Sequence, residues 1–255
     1  MRLADKVAVI TGGGSGIGKA SALLFAEEGA KVVVASRNPQ KGEKVVEEIK
    51  TNGGDAIYVQ VDVANEKDVE KMVSAAVDKF GKLDIMFNVA GRPQESKPFD
   101  QITDEEWEGI MAVNVKGIFL TSKHALSELK KSQGVILNIG SVGGELPRPG
   151  SVCYAASKGA VINITRALAV ELAKHKIRVN NINPGPTDTP MMFEFIPEFN
   201  DDIKSAIGSS TPLGSFVDPK DVAYAAVFLA SSEASKITGS SLNVDSGLRI
   251  GRSAQ

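Results

Sequence analysis

The sequence predicts an α/β fold in which one doubly wound parallel sheet of about seven strands carries helices on both faces. Short runs rich in β-branched residues recur seven times along the 255 residues. Most of these runs are apolar throughout, as expected for strands that are buried on both faces of a parallel sheet. Longer segments with a helical period separate the runs. Such alternation requires parallel pairing of the strands with helical crossovers.

The predicted strands are taken in chain order. The first is an apolar run that ends abruptly at Thr11 and Gly12, and the last is a short run near the carboxyl end of the chain. The seven runs are Val7–Ile10, Lys31–Ala35, Ala56–Val61, Leu83–Phe87, Gly134–Ile139, Ile177–Ile182 and Ser241–Val244.

The helices between them are predicted from apolar residues at steps of three and four. The clearest stripe runs through Val69, Met72, Val73, Ala76, Val77 and Phe80. It stops at Gly81, a residue type that often ends helices. The other helical segments are 16–28, 39–51, 104–130, 151–174 and 219–231. We expect one domain over residues 1–255, with Arg249 to Gln255 as a loose tail or an arm on a partner subunit.

Composition excludes several classes of function. Lys and Arg number 29 against 31 Asp and Glu, and the pI is about 5.8, so we expect no nucleic-acid binding. No apolar run approaches the roughly 20 residues that span a bilayer, and the first residues lack the apolar core of a signal peptide. The single Cys153 excludes an internal disulfide, and neither His124 nor His175 has the spacing of a zinc ligand. We therefore expect a soluble cytoplasmic protein that contacts no membrane and holds no metal.

A glycine-rich turn follows the first predicted strand and opens the first predicted helix. Glycines at such a turn let backbone N–H groups approach a pyrophosphate, which then lies at the positive end of the helix. The spacing of Gly12, Gly16 and Gly18 places three residues between the first two glycines, where the common dinucleotide fingerprint has one. This spacing, with Thr11 before it, resembles the short-chain dehydrogenase/reductase family over residues 5–247.

A second constellation supports the resemblance. Tyr154 and Lys158 are four residues apart and therefore lie on one face of a predicted helix. Ser141 follows the fifth predicted strand, at the sheet edge where open α/β sheets bind ligands. The resemblance implies that Ser141, Tyr154, Lys158 and Asn114 are the catalytic residues. Tyr154 is then the acid/base, Lys158 lowers its pKa and holds the nicotinamide ribose, Ser141 stabilises the substrate oxygen, and Asn114 anchors a water.

The end of the second predicted strand bears on the choice of cofactor. A carboxylate usually holds the ribose 2′-hydroxyl of NAD there, and the stretch from Ala35 to Asn38 contains none. Arg37 instead offers a planar fork for a 2′-phosphate, and Ser36 adds a hydroxyl. NADP(H) is therefore favoured and NAD(H) remains possible, since some NADP-preferring relatives carry a basic residue at the position of Ser15.

Further segments are assigned to the cofactor through the resemblance. Asp62 and Val63 are expected at the adenine, with a turn or a helix cap as the structural alternative for Asp62. The segment from Asn88 to Gly91 is expected along the adenosine ribose, with Val89 departing from the family's second asparagine. The expected cofactor-binding residues are Gly12, Gly14, Ser15, Gly16, Ile17, Gly18, Ser36, Arg37, Asp62, Val63, Asn88, Ala90, Gly91, Tyr154, Lys158, Pro184, Gly185, Thr187 and Thr189.

The segment 190–214 has no single period. Its Met and Phe side chains, Met191, Met192, Phe193, Phe195 and Phe199 among them, suit an adaptable apolar substrate lid. They equally suit a helical hairpin that packs on the core or on another subunit. Arg92, Glu145 and Arg148 lie in loops near the same edge and are more often surface charges than substrate contacts. The resemblance implies a homotetramer, with a dimer as the alternative.

The resulting hypothesis is an enzyme that interconverts a small carbonyl compound and a secondary alcohol by hydride transfer. An NAD-dependent alcohol or sugar dehydrogenase of the same family is the first alternative. An epimerase or dehydratase would carry a longer carboxyl-terminal region. A non-catalytic dinucleotide sensor would typically lack the tyrosine or the lysine. The sequence identifies no particular substrate.

Overall fold

A computed structural model describes residues 1–196 and 198–251, apart from the side chain of Phe193. Seven parallel strands form one sheet in the order β3-β2-β1-β4-β5-β6-β7, which confirms the predicted doubly wound fold. The strands are β1 (Val7–Thr11), β2 (Lys31–Ser36), β3 (Ala56–Gln60), β4 (Ile85–Asn88), β5 (Val135–Ile139), β6 (Arg178–Pro184) and β7 (Ser241–Val244).

Helices cover both faces of this sheet. They are α1 (Gly16–Glu27), α2 (Pro39–Thr51), α3 (Glu66–Phe80), α4 (Asp104–Met111), α5 (Gly117–Ser132), α6 (Val152–Leu172), α7 (Met191–Phe195), α8 (Asp201–Ser209) and α9 (Pro219–Ala230). One core cluster joins α1, α2 and α9 to the sheet, and a second joins α3, α5 and α6 to its opposite face. Side chains of β1 alternate between the two clusters, since Ala8 and Ile10 belong to the first and Val9 to the second.

Helix α3 shows how local sequence sets an element's limits. Asn65 begins it, and its side chain accepts hydrogen bonds from the backbone N–H groups of Lys67 and Asp68 at 3.0 and 3.4 Å. Gly81 ends it in the left-handed region, with φ of 80°, a conformation that costs glycine nothing. The predicted end of this helix is confirmed.

The helix predicted over residues 104–130 is not continuous. It begins at Thr103 in a capping box with Glu106, and then a π-helical segment, Ala112–Lys116, separates α4 from α5. The sequence prediction missed this interruption, because π turns are rare and a search for apolar residues at steps of three and four assumes an unbroken α-helix. The buried Asn114 lies inside the π segment.

The half of the sheet formed by β4 to β7 carries asparagines in its core. The Asn88 side chain donates to Asn138 Oδ1 at 2.9 Å, and Asn138 Nδ2 donates to Thr165 Oγ1 of α6 at 2.9 Å. The Thr121 hydroxyl of α5 donates to Asn88 Oδ1 at 2.7 Å. These bonds tie two strands to the helices on their face, so the polar groups fix the position of α6 relative to the sheet.

Parallel strands bring their carboxyl ends to one edge of the sheet. Thr11, Ser36, Asn88 and Pro184 each end a strand at this edge, and Ser141 follows closely after β5. Ligands of open α/β sheets bind at such an edge. Among the residues that the structure describes, no helix has both the length and the apolar character needed to cross a membrane.

Candidate active site

The glycine-rich turn is closely packed against the loop that follows β4. A Cβ on Gly18 would lie 2.1 Å from the carbonyl oxygen of Gly12, and one on Gly12 would lie 3.0 Å from the backbone of Ala90. The Thr11 hydroxyl accepts hydrogen bonds from the backbone N–H groups of Val89 and Ala90 at 3.0 and 3.1 Å. A side chain at Gly12 would therefore separate the turn from that loop, and one at Gly18 would push the start of α1 away from the turn itself.

The start of α1 suits an anionic group. Ser15 is its N-cap residue, and its exposed side chain makes no capping hydrogen bond. No acidic residue occupies the first turn of this helix. The N–H groups of that turn and the positive end of the helix dipole therefore fit a pyrophosphate. A Cβ on Gly16 would lie 3.1 Å from Thr189 Cγ2, so Thr189 lies beside this turn, whereas the Ile17 side chain packs against the core.

The end of β2 forms a second wall of the same site. A Cβ on Gly14 would lie 3.2 Å from Ser36 Oγ and 3.3 Å from Lys41 Cβ. Arg37 is exposed, and the first turn of α2 contains no acidic residue. Lys41 was missed at the sequence level. Only its position could have indicated this role, because α2 begins at Pro39 and residue 41 therefore lies at the helix end that faces Ser36.

The loop after β3 is held by its own side chains. Asp62 Oδ1 accepts from the backbone N–H of Ala64 at 3.0 Å, which makes Asp62 a turn residue, while the cap of α3 is Asn65. The cap alternative for Asp62 is therefore wrong. Val63 is buried against the start of α5, where a Cβ on Gly117 would lie 2.9 Å from its Cγ2. Any contact of Val63 with a ligand would come mainly from its backbone.

The loop after β4 brings the two predicted regions together. Both polar atoms of the buried Asn88 side chain are engaged with Asn138 and Thr121, so this carboxamide belongs to the sheet's internal network. A Cβ on Gly91 would lie 3.5 Å from Asn114 Oδ1 and 3.8 Å from Lys158 Nζ. Gly91 therefore lies directly over two of the four predicted catalytic residues.

The side chain of Asn114 binds two neighbouring segments of the chain. Its Oδ1 accepts from the backbone N–H of Arg92 at 2.7 Å, and its Nδ2 donates to the Arg92 carbonyl at 3.0 Å and to Ser157 Oγ at 2.9 Å. Ser157 in turn donates to the Tyr154 carbonyl at 2.7 Å. The carboxamide thus holds the loop after β4 against α6. Both of its N–H groups are used, so a water bound to this side chain would donate to Oδ1.

Ser141, Tyr154 and Lys158 meet at the carboxyl end of β5. Burial raises the pKa of Tyr154 to about 12, and a hydrogen bond with Ser141 opposes that rise. Burial lowers the pKa of Lys158 to about 8. Lys158 Nζ donates to the Ile139 carbonyl at 2.8 Å and lies 5.6 Å from the centre of the Tyr154 ring. We expected Lys158 to lower the pKa of Tyr154, but in the protein alone the effect of burial on this pKa is larger and raises it.

The loop after β6 uses its threonines differently. Thr187 is buried, and its hydroxyl donates to the Gly185 carbonyl at 2.9 Å. Thr189 is less tied, since its hydroxyl donates to the Thr187 carbonyl at 3.4 Å, and it lies beside Gly16. A Cβ on Gly185 would lie 2.7 Å from Asp245 Cα, so this glycine permits close packing on the segment after β7.

The segment after Pro190 reaches the candidate site in part. The Phe195 ring packs edge-on against Tyr154 with ring centres 4.9 Å apart, and Met191 Cε would lie 3.9 Å from a Cβ on Gly91. Phe199 instead packs against Phe216. The side chain of Phe193 and residues 252–255 of the predicted tail lie outside the described residues. Both interpretations of this segment thus have some of its residues in their favour.

The three loop charges have different surroundings. Arg92 is exposed, and its guanidinium lies against α4, where a Cβ on Gly109 would lie 2.0 Å from Nη1. Glu145 forms an ion pair with Arg249 and accepts a bond from Asn183 at 3.4 Å. Arg148 is exposed.

A group of possible metal ligands joins α3 to α5. Donor atoms of Glu66, Glu70 and His124 lie within 4.8 Å of one another, a juxtaposition of α3 and α5 that sequence spacing could not reveal. Glu66 Oε1 already accepts from Lys123 Nζ at 2.8 Å and contacts His124 Nε2 at 2.9 Å. The lysine occupies the oxygen that a metal would need.

The chain is similar in sequence to known oxidoreductases. A family model described as enoyl-(acyl carrier protein) reductase matches residues 12–249. The chain is 42% identical over 251 residues to 2,5-dichloro-2,5-cyclohexadiene-1,4-diol dehydrogenase LinX of Sphingobium indicum, covering 98% of each chain. It is 39% identical over 253 residues to an uncharacterized oxidoreductase of Thermotoga maritima, covering 97% of this chain and 98% of that one.

A solved structure is similar over nearly the whole chain. It is the crystal structure of 3-ketoacyl-(acyl-carrier-protein) reductase from Brucella melitensis complexed with NADH. The TM-score is 0.90 at 41% sequence identity, and the match covers 97% of this chain and 100% of that one. Fold and sequence therefore identify the same group of oxidoreductases.

Proposed function

The chain belongs to the short-chain dehydrogenase/reductase family, and we propose that it is an NADP(H)-dependent enzyme that interconverts a ketone and a secondary alcohol. Members of this family are oxidoreductases that act on CH–OH groups with NAD(P)(H). The observation that carries the finer proposal is the meeting of Ser141, Tyr154 and Lys158 beside Gly91, next to a turn that fits a pyrophosphate.

The residues at the sheet edge fit a dinucleotide. The turn from Gly12 to Gly18 leaves space that a Cβ would fill, and the start of α1 has no acidic residue and no side-chain cap. Thr189 extends this surface towards Gly91 and Lys158, where the nicotinamide would lie. The cofactor would supply the hydride, and the protein supplies orientation and proton transfer.

Tyr154 is the proton donor in the direction of reduction. Its raised pKa of about 12 keeps the phenol protonated at neutral pH, so a proton is available for the oxygen of the reacting carbonyl. Ser141 shares a hydrogen bond with Tyr154 and can donate to the same oxygen as negative charge develops on it. The Phe195 ring packs on Tyr154 and keeps water from one side of it.

Lys158 and Asn114 support this arrangement. Lys158 Nζ donates to the Ile139 carbonyl, and an ammonium group has two further N–H donors that remain for a ribose hydroxyl. Removing a proton from Tyr154 in the direction of oxidation is helped by the nearby ammonium group. Asn114 holds the backbone of Arg92 and, through Ser157, the backbone of Tyr154.

The preference for NADP(H) rests on the wall beside Gly14. Ser36, Arg37 and Lys41 offer a hydroxyl and two cations where NAD-dependent proteins usually place a carboxylate. The similar crystal structure from Brucella melitensis is complexed with NADH, so NAD(H) is the alternative. Fluorescence titration decides between them: we expect NADPH to bind at least about tenfold more tightly than NADH. Equal or reversed affinities would contradict this preference.

The segment 190–214 is proposed as the substrate lid, and a homotetramer is proposed as the assembly. Phe119 on α5 is 56% exposed and Val170 on α6 is 82% exposed, so both helices present apolar side chains that a subunit contact would cover. Light scattering at micromolar concentration measures the assembly, and a monomer would contradict the proposal.

The activity itself is tested with a panel of ketones. We expect NADPH oxidation with at least one small cyclic or aliphatic ketone, at a rate proportional to enzyme concentration. Tight NADPH binding together with no turnover of ketones or of secondary alcohols across the panel would favour the non-catalytic sensor.

A further inference from the structure

Gln94 connects the loop after β4 to the catalytic helix. It is 3% exposed, and its Oε1 accepts a hydrogen bond from the backbone N–H of Tyr154 at 3.0 Å. Ser151, the N-cap residue of α6, makes no capping bond, because its hydroxyl donates to the Arg148 carbonyl at 2.6 Å. A glutamine 60 residues earlier in the chain thus supplies the side-chain cap at the catalytic tyrosine.

The other end of the same carboxamide has no partner. A backbone N–H can only donate, so the atom facing Tyr154 must be the oxygen, and this fixes the orientation of the amide. Gln94 Nε2 is then buried, and no hydrogen-bond acceptor is within reach among the residues that the structure describes. A buried donor without an acceptor is destabilising, and an acceptor atom of a ligand would satisfy it.

Gln94 lines a cavity of about 230 Å³ beside the candidate site. Its walls combine the loop after β4, helix α4 and helix α7. The lining residues are Arg92, Pro93, Gln94, Glu95, Glu106, Ile110 and Glu194. Glu106 is already engaged with Lys97 and with the backbone of Thr103. Arg92 and the exposed Glu194 leave the cavity mainly polar in character, with room for a small organic group.

We propose that Gln94 is a specificity-determining residue whose Nε2 donates a hydrogen bond to a second oxygen of the substrate, remote from the reacting carbonyl. The substrate class is then a small ketone or secondary alcohol with a second acceptor oxygen. This oxygen lies about the length of a tyrosine side chain from the reacting carbonyl or hydroxyl group. This inference rests on the proposed function. Gln94 also positions Tyr154, because the same carboxamide binds the tyrosine backbone and the substrate.

Two ketones of matched shape test the donor directly. In 4-methoxycyclohexanone an ether oxygen accepts hydrogen bonds but donates none, and 4-ethylcyclohexanone replaces this oxygen with a methylene group. We expect the wild-type protein to prefer the methoxy compound about tenfold in kcat/KM with NADPH, mainly through KM. A ratio near one would overturn the inference.

Three variants separate the donor from the cap. Gln94→Glu retains an acceptor for the Tyr154 N–H but has no N–H to offer, so we expect the preference to disappear. Gln94→Met removes the acceptor and the donor together, so we expect the preference for the methoxy compound to disappear and kcat to fall for both ketones. Gln133→Glu adds the same charge at an exposed loop position and should retain the preference. A purely structural role would lower both rates equally and leave the ratio of the two ketones unchanged.

Binding without turnover distinguishes this inference from the proposed function. Calorimetric titrations of both ketones, without cofactor and with NADP⁺, involve no reaction because ketone and NADP⁺ are both oxidised. We expect the methoxy compound to bind about tenfold more tightly to the wild type and equally to Gln94→Met. That result with no turnover of any ketone would contradict the proposed function and support the site. Equal binding to the wild type would overturn the site, whatever the activity.

Discussion

The two halves of the sheet differ in the side chains that their strands bury. Strands β1 to β3 bury almost purely apolar side chains, and their contact with a ligand depends on backbone, on glycines and on the exposed ends of the strands. Strands β4 to β6 bury Asn88, Asn138, Asn180, Asn181 and Asn183 in the same core. One half therefore resembles an ordinary apolar sheet, and the other contains an internal network of hydrogen bonds.

This difference matches the tasks that we assign to the halves. A phosphate chain is held by N–H groups and a helix end, which need space more than they need particular side chains. Proton transfer needs side chains held to a fraction of an ångström, and the asparagine network connects the sheet to α6 through Thr165. We infer that the apolar half binds the cofactor phosphates and that the polar half positions the residues for proton transfer. Substitutions should therefore affect binding and turnover separately.

After the loss of Tyr154 itself, the largest effect is expected from Ser141→Ala. Removing a hydroxyl that donates to developing charge typically costs two to three orders of magnitude in kcat, and we expect a loss of about that size. NADPH affinity should stay within about twofold, since Ser141 belongs to the polar half. Steady-state kinetics and titration measure both. Ser141→Thr keeps the hydroxyl and should restore part of the rate; equal losses in Thr and Ala variants would argue against this role.

Asn138→Leu should lower the free energy of unfolding by about 3 kcal/mol, because it leaves the Asn88 donor buried without its partner and removes the bond to Thr165. Urea denaturation of the protein without cofactor measures the change. The double variant Asn138→Leu, Thr165→Val tests coupling. We expect its loss to be smaller than the sum of the two single losses, and simple additivity would contradict a connected network.

Lys158→Met should change how stability depends on pH. Burial lowers the pKa of Lys158 to about 8 from an ordinary 10.5, so between these values the unfolded chain binds the proton and the native chain has lost it. The free energy of unfolding of the wild type therefore increases as the pH rises through this window. Below pH 8 the buried lysine is charged and destabilises the folded protein. Each pKa unit corresponds to about 1.4 kcal/mol.

At pH 7 the Lys158→Met variant should therefore be more stable than the wild type by about 2 kcal/mol, after the lost bond to Ile139 is subtracted. This advantage should shrink by pH 9.5, and denaturation at the two pH values measures it. A constant difference would mean that Lys158 titrates normally in the folded protein.

Arg37→Ala should have the smallest effect and should act only in the apolar half. We expect KM for NADPH to rise about tenfold, KM for NADH to change less than about twofold, and kcat to stay nearly constant. The matched control is Lys44→Ala, because Lys44 is an exposed cation of helix α2. This substitution should affect neither KM. Equal changes for both cofactors would remove Arg37 from recognition of the 2′-phosphate.

Much of the fold was predictable from periodicity, because continuous apolar runs and helical stripes record burial directly. The interruption at Ala112–Lys116 was not, since a search for apolar residues at steps of three and four assumes an unbroken α-helix. The asparagines of β6 were visible in the sequence, but only the sheet shows which partners they bind, and among the described residues Asn181 Oδ1 has none.

The site was predictable where a motif fixes local geometry, as at the glycine turn and at Tyr154 with Lys158. Gln94 and Lys41 were not found, because their importance arises from contacts between distant segments. Asn114 shows a further limit: its position was predicted, but its bonds to Arg92 and Ser157 were not, because they join segments that are distant in the chain.

The central claim is that Tyr154 performs proton transfer on a surface that binds the cofactor independently of it. The most direct measurement is NADPH titration of the Tyr154→Phe variant, followed by its turnover of a ketone that the wild type reduces. We expect cofactor affinity within about twofold of the wild type and turnover reduced by at least about a thousandfold, with the exposed Tyr224→Phe as a control that changes neither. Turnover near the wild-type rate would contradict the claim.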